Sequence, residues 1–368
     1  MLRPLCRDKT MRVVFVVLVF VWGVEPAQDT GTPDGLMADC PGMNRSTEFS
    51  DKTLSSLNVV TKWPVDSFLK INSRKCSLSV KGAACAAKNF DFKRRKTAIL
   101  ISGYMDASFS PVGRIMSQSY LELSYNVIIV EVFPIFVRSY PVAARVTKPL
   151  GLVLGDFLAA LTGLGLRPGD MELVGGSLGA HVASYACGRY TELTGHKPAR
   201  LTGLDPAGPC FRNLPPQQRF HAGAAQHVDA LHTNIDGFGL ADAVAHVDFY
   251  ANGGEYQQAM VSGFLMPCFQ FCSHVRSATY WYFATLHPKE FIAVKCDSVA
   301  KARHGDCYDE PITQNYLGPK TNFSRPGIYY LPTKENMPYY MGYDGMKQRR
   351  YRINEYLMQC APDEDMVI

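Results

Sequence analysis

The sequence predicts an α/β fold with a mainly parallel central sheet and helices on both faces. Three observations carry this. From residue 97 onward, short and almost wholly apolar β-branched runs alternate with helical patterns, as in strands covered on both faces. The 368 residues, 47% of them hydrophobic, suffice to bury a large core. With 19% charged residues, 30 Gly and 23 Pro, the composition excludes a disordered, collagen-like or coiled-coil chain. Lys and Arg total 38 against 33 Asp and Glu, a net +5 that falls to +3 without the four positive and two negative residues of 1–27. So slight an excess gives no reason to expect a nucleic-acid partner.

At the N-terminus, Arg3, Arg7, Lys9 and Arg12 precede a 12-residue apolar run, 13–24, which Glu25 and Pro26 end. That is a signal peptide's pattern, because a spanning helix takes about 20 apolar residues. The expectation is a signal peptide over 1–27, cleaved between Gly23 and Gln28, and a single secreted, extracellular domain over 28–368. Cys6 would leave with the signal, and the other ten of the 11 cysteines are compatible with five disulfides. The close pairs Cys76 with Cys85, Cys268 with Cys272, and Cys296 with Cys307 are the natural first candidates, each closing a small loop. Asn44-Arg45-Ser46 and Asn322-Phe323-Ser324 are glycosylation sequons.

Each element follows in order. Runs 97–102 (TAILIS) and 127–132 (VIIVEV) read as buried strands, with a helical pattern over 112–123 between them. After Pro149, a residue tolerated in a first turn, Leu150, Val153, Leu154, Phe157, Leu158 and Leu161 share one helix face. A strand over 171–174, a helix-compatible stretch over 180–187, a strand over 200–204 and a further strand signal within 224–233 complete the pattern. From Pro311 the tail shows short extended pieces and little helix grammar.

Between the strand 171–174 and the helix stands Gly175-Gly176-Ser177-Leu178-Gly179. A Gly-x-Ser-x-Gly in that setting is a nucleophile elbow. The turn holds the serine in a strained conformation with its hydroxyl exposed above the sheet, and the flanking glycines let backbone segments approach closely. The helix start behind it offers N–H groups to a developing oxyanion. Such a serine needs a base and an orienting acid, in the chain order Ser, acid, His. Asp205 ends the strand 200–204, where open α/β sheets place their chemistry, although Asp-Pro also starts turns. His221, His227, His232, His246, His274, His287 and His304 all follow it, and spacing alone does not choose among them.

These residues resemble the pancreatic-lipase-like family of secreted lipases and phospholipases A1. The motifs are GGSLGAH at 175–181, LTGLDPAGP at 201–209, HVDFYANGG at 246–254 and CSHVRS at 272–277. The resemblance implies an α/β-hydrolase fold, a catalytic triad of Ser177, Asp205 and His274, and oxyanion donors at the backbone N–H groups of Tyr104 and Leu178. No metal or organic cofactor is required. Gly176 stands where the family usually has His before the nucleophile, and Ser102 where it usually has His before Gly103.

The family's lid is bracketed by two cysteines. If these match Cys268 and Cys272, only Phe269, Gln270 and Phe271 lie between them. So short a lid, with no C-terminal β-sandwich, resembles the phospholipase A1 branch more than the triacylglycerol lipases. Phe264, Leu265, Phe269 and Phe271 are then candidate lid and interface residues, and Lys93-Arg94-Arg95-Lys96 is either a headgroup contact or a solvated run. The expected function is phospholipase A1 hydrolysis of glycerophospholipids at a membrane or lipoprotein surface, with no obligate protein partner. A neutral lipase, or a non-catalytic lipid-binding relative like the family's yolk proteins, is the alternative.

Overall fold

Edge strands tolerate polar residues because one side of the ladder meets solvent, and the hairpin near the start of the described chain ends in such a strand. β1 (Asn58–Pro64) and β2 (Ile71–Ser77) form an antiparallel hairpin that begins the sheet, closed against α1 (Gly82–Ala87) by the Cys76–Cys85 disulfide. The computed structural model describes residues 54, 56–64, 71–257 and 269–347. The expected signal peptide, Cys40, the Asn44 sequon, Cys268 and Cys360 lie outside them.

The centre follows the predicted alternation: β3 (Thr97–Ile101), α2 (Pro111–Glu122), β4 (Asn126–Val130), the short α3 (Phe133–Phe136), α4 (Tyr140–Gly163), β5 (Met171–Gly176), α5 (Leu178–Thr194), β6 (Arg200–Leu204), β7 (His227–His232) and β8 (Val247–Ala251). Every residue of β3, β4 and β6 is buried. Ser110 caps α2 by accepting from the Gly113 N–H at 2.9 Å. The remainder is α6 (Phe269–Leu286), β9 (Ile292–Cys296), α7 (Val299–His304), β10 (Gln314–Tyr316) and β11 (Gly327–Leu331).

Among the described residues the sheet has 11 strands, ordered β10, β9, β11, β8, β7, β6, β5, β3, β4, β1, β2. From β4 through β11 all neighbours are parallel. The chain leaves β3 for β4 on one side and returns as β5 on the other. The crevice at their carboxyl ends is thus the switch point at which open α/β sheets bind ligands. One sheet face packs Leu100, Val174 and Leu204 against Met116 and Tyr120 of α2 and Ala278 and Trp281 of α6. On the other face α4 lies along α5.

Two expectations are corrected. The helix expected to begin at Pro149 begins at Tyr140, with Pro141 in its first turn and Pro149 inside it; buried Ala143, Ala144, Val146 and Thr147 extend the apolar face upstream. Full cysteine pairing also fails. Cys76–Cys85 and Cys296–Cys307 are bonded as expected, and Cys210 and Cys272 are in disulfides, but Cys187 is a free thiol buried in α5.

Candidate active site

The Gly-rich turn between β5 and α5 is built by close backbone approach. A Cβ on Gly175 would lie 2.3 Å from the Gly179 carbonyl oxygen, and one on Gly179 would lie 2.3 Å from that of Ile101. Glycine at both positions lets α5 start directly over β3 and β5. Ser177, pinched between them, has φ 53° and ψ −122°, a region that L side chains rarely occupy. Its N–H donates to the Leu204 carbonyl at 3.0 Å, and its own carbonyl accepts from the N–H groups of Ala180 (3.1 Å) and Ala207 (3.3 Å). The elbow is tied in this way to the end of β6, one residue before Asp205.

Asp205 is fully buried. Its Oδ1 accepts from the backbone N–H groups of Thr233 at 2.8 Å and Asn234 at 3.2 Å. Its Oδ2 lies 2.6 Å from Nδ1 of His274. A buried carboxylate needs such partners, and here an imidazole and two N–H groups supply them. His274 sits in the second turn of α6, 9% exposed, with the Phe238 ring 5.8 Å away. Of the seven histidines downstream of Asp205, the structure brings this one to it. Among the described residues, the Ser177 hydroxyl makes no hydrogen bond to the His274 ring; contacts of this kind often tighten only when substrate binds.

Gly103 follows β3 and presses against the elbow, where a Cβ would lie 2.7 Å from Ser177 Cβ. Tyr104, next in the chain, is therefore beside Ser177, held by its hydroxyl donating to the Arg138 carbonyl at 2.8 Å. Leu178 is the first residue of α5, where an N–H has no intrahelical acceptor. Both expected oxyanion donors thus flank Ser177 in sequence or in space.

His181, one turn into α5, is fully buried between the two halves of the site. Nε2 meets the Ala207 carbonyl at 2.9 Å, Nδ1 accepts from the Phe220 N–H at 3.0 Å, and the ring stacks on Phe211. Burial drives its pKa down to about 3. A neutral ring with hydrogen on Nε2 satisfies both partners.

Gly176 and Ser102 share a face, because each lies two residues after an inward-facing strand residue, Val174 and Leu100. A Cβ on Gly176 would meet nothing within 4 Å. Both border a cavity of about 50 Å³, with Leu100, Met116 and Ala278 among its walls.

Phe264 and Leu265 fall outside the described residues, as do the side chains of Phe269 and Phe271 at the start of α6. The basic run at 93–96 precedes the amino end of β3, at the opposite end of the parallel strands from Ser177. Lys96 pairs there with Glu172 at 2.9 Å and Arg95 donates to the Pro64 carbonyl, so part of the run serves the fold. Sequence reasoning singled out neither His181 nor the Thr233 and Asn234 amides. The GGSLGAH match contained the former; nothing local marks the latter, since backbone donors carry no residue signature.

A sequence model of the family described as Lipase matches residues 60–339. The chain is 34% identical to "Lipase member H-A" of Xenopus laevis over 224 residues, covering 58% of this chain and 47% of that protein. It is 32% identical to "Pancreatic lipase-related protein 2" of Mus musculus over 249 residues, covering 62% and 51%. The chain spans about half the length of these curated relatives. Among solved structures, the α/β hydrolase MGS-M1 from a deep-sea metagenome library aligns at TM-score 0.29 and 16% identity, covering 48% of this chain and 69% of its own. With its parallel strand order, its elbow between β5 and α5 and this match over most of its length, the chain has the α/β-hydrolase fold and belongs to the lipase family.

Proposed function

We propose that the chain is a secreted serine hydrolase of lipid carboxylic esters, with phospholipase A1 activity on glycerophospholipids. The observation that carries the reading is the buried Asp205–His274 hydrogen bond of 2.6 Å at the carboxyl edge of the sheet that presents Ser177. In this reading His274 Nε2 takes the Ser177 proton as Oγ attacks the acyl carbonyl. Asp205 holds hydrogen on Nδ1 and stabilises the imidazolium. The oxyanion forms beside the N–H groups of Tyr104 and Leu178, each worth about 3 kcal/mol of barrier when well aimed. His274 returns its proton to the leaving alcohol, and water, activated by the same imidazole, releases the fatty acid.

A lipid substrate is supported by the surface around Tyr104. Met105 and Phe109, between β3 and α2, and Phe133 and Val137, at the two ends of α3, are all exposed, with Phe109 and Phe133 edge to face at 6.2 Å. Exposed apolar side chains beside a site suit an aggregated lipid better than a dissolved ester. The phospholipid preference rests on the short interval between Cys268 and Cys272.

The test compares fatty-acid release from phosphatidylcholine and from triolein, for the wild type and Ser177→Ala. The expected result is release from phosphatidylcholine, at the sn-1 position, that Ser177→Ala abolishes. Release from triolein alone would make the chain a neutral lipase. Binding of lipid with no release from either would leave the non-catalytic reading.

A further inference from the structure

A second imidazole–carboxylate pair lies one strand away from the first, and the sequence gives it no role in the proposed reaction. His232 ends β7 and Asp248 lies on β8; their side chains are 0% and 2% exposed. His232 Nε2 is 2.9 Å from Asp248 Oδ1, and Nδ1 is 3.0 Å from the carbonyl oxygen of Leu240. The ring is stacked on Tyr250 at 4.3 Å. Both of its nitrogens therefore face oxygen atoms, so the ring bridges the Asp248 carboxyl group and the Leu240 carbonyl. Asp248 is built to receive it. The carboxylate also accepts from the N–H groups of Val244 at 3.0 Å and Ala245 at 3.1 Å.

The carbonyl that His232 holds belongs to the loop that serves Asp205. Within 233–240, Thr233 and Asn234 donate their N–H groups to Asp205 Oδ1. The loop then folds on itself through Gly239 N–H to the Asn234 carbonyl and Phe238 N–H to Asn234 Oδ1, both 2.8 Å. It docks on the Asp205 turn through Leu240 N–H to Pro206 O and Gly208 N–H to Phe238 O. His232 bonds Leu240 across the base of the loop, so residues 233–239 are closed into a ring over the carboxylate. Gly239 lies so close that a Cβ there would be 2.6 Å from Asp205 Oδ1.

We propose that His232 and Asp248 are positioning residues for the hydrolytic site: Asp248 holds the His232 ring, which clamps Leu240 and keeps the Thr233 and Asn234 amides on Asp205. The inference rests on the reading of Ser177, His274 and Asp205 as the reacting cluster. Neither His232 nor Asp248 touches substrate in this account. They act on the orientation of Asp205 and, through it, of the His274 ring.

The experiment uses the full secreted chain. Asp248→Asn and His232→Gln are assayed on a soluble p-nitrophenyl ester, with turnover expressed per site titrated by a fluorophosphonate. The expectation is a kcat lowered about tenfold to hundredfold, as a misplaced supporting group produces, with KM within about twofold. The downfield proton between His274 and Asp205 should shift or broaden in the same variants, which a mere loss of folded protein would not cause. Wild-type turnover per site with an unchanged downfield proton overturns the proposal and leaves the hydrolytic reading standing. Failure of the wild type to label at Ser177 instead removes the hydrolytic reading itself. Should Asp248→Asn fail to fold, His232→Gln decides.

Discussion

A serine held at φ 53° and ψ −122° stores backbone strain, of about 1–3 kcal/mol for a residue with a Cβ. Glycine there carries no such penalty, so Ser177→Gly should raise the stability to unfolding by about 1 kcal/mol while removing the proposed nucleophile. A loss of stability in chemical denaturation would show that the elbow is not strained. His181 offers a second residue-level test. Its pKa is depressed from 6.5 to about 3 by burial, so the unfolded state binds the proton first as pH falls. Its contribution is complete above pH 6.5 and is lost progressively as pH drops toward 3, at up to about 1.4 kcal/mol per pH unit. His181→Gln keeps a donor and an acceptor without that proton. The variant should show a shallower stability decline than the wild type between pH 6.5 and 4; equal slopes would mean that the buried ring is not neutral. Residue identities were legible unevenly. Ser177 is announced by its own neighbours and Asp205 by the strand it ends, whereas His274 is one of seven candidates until a motif or a structure selects it. His232 has no local signal, because its partners at 240 and 248 are defined only by folding.

At the scale of elements, the start of α5 over β3 depends on what the glycines exclude. Gly179→Ala puts a methyl 2.3 Å from the Ile101 carbonyl and 2.6 Å from that of Ser102. It should cost about 3 kcal/mol through overpacking. Gly176→Ala meets open space and should change stability by less than about 0.5 kcal/mol. Paired thermal or urea unfolding checks both, and comparable losses would contradict the packing described for the elbow. The strands at 97–101 and 126–130 could be read because burial on both faces leaves each with a single polar residue, Thr97 and Asn126. β2, reading INSRKCS, could not, because its polar residues belong to an edge. The start of α4 was hidden by Pro149: a proline inside a helix costs its hydrogen bond, so the pattern favours a start there. The burial of α4 against α5 outweighs that cost over its 24 residues.

Across the whole molecule, the tail returns to the sheet. β11 enters parallel beside β8 and carries β9 and β10 outside it, an order that no local pattern encodes. Arg200 ties the tail in: buried, it pairs with Asp229 at 2.5 Å, donates to the Gly318 carbonyl and Thr321, and lies over the Trp281 ring at 5.1 Å. Arg200→Gln would strand the Asp229 carboxylate, which keeps only a Thr202 hydroxyl at 2.7 Å among these partners. It should destabilise the protein by about 3–5 kcal/mol. A denaturation midpoint close to wild type would show that the pair does not bind tail to sheet. The central claim, that Ser177 is a nucleophile primed by His274 and Asp205, is tested most directly by a fluorophosphonate probe and mass spectrometry. The account predicts one phosphonylated residue, Ser177, in the wild type and labelling nearly abolished in His274→Ala. An unlabelled Ser177 in folded wild-type protein, or equal labelling without His274, would contradict it.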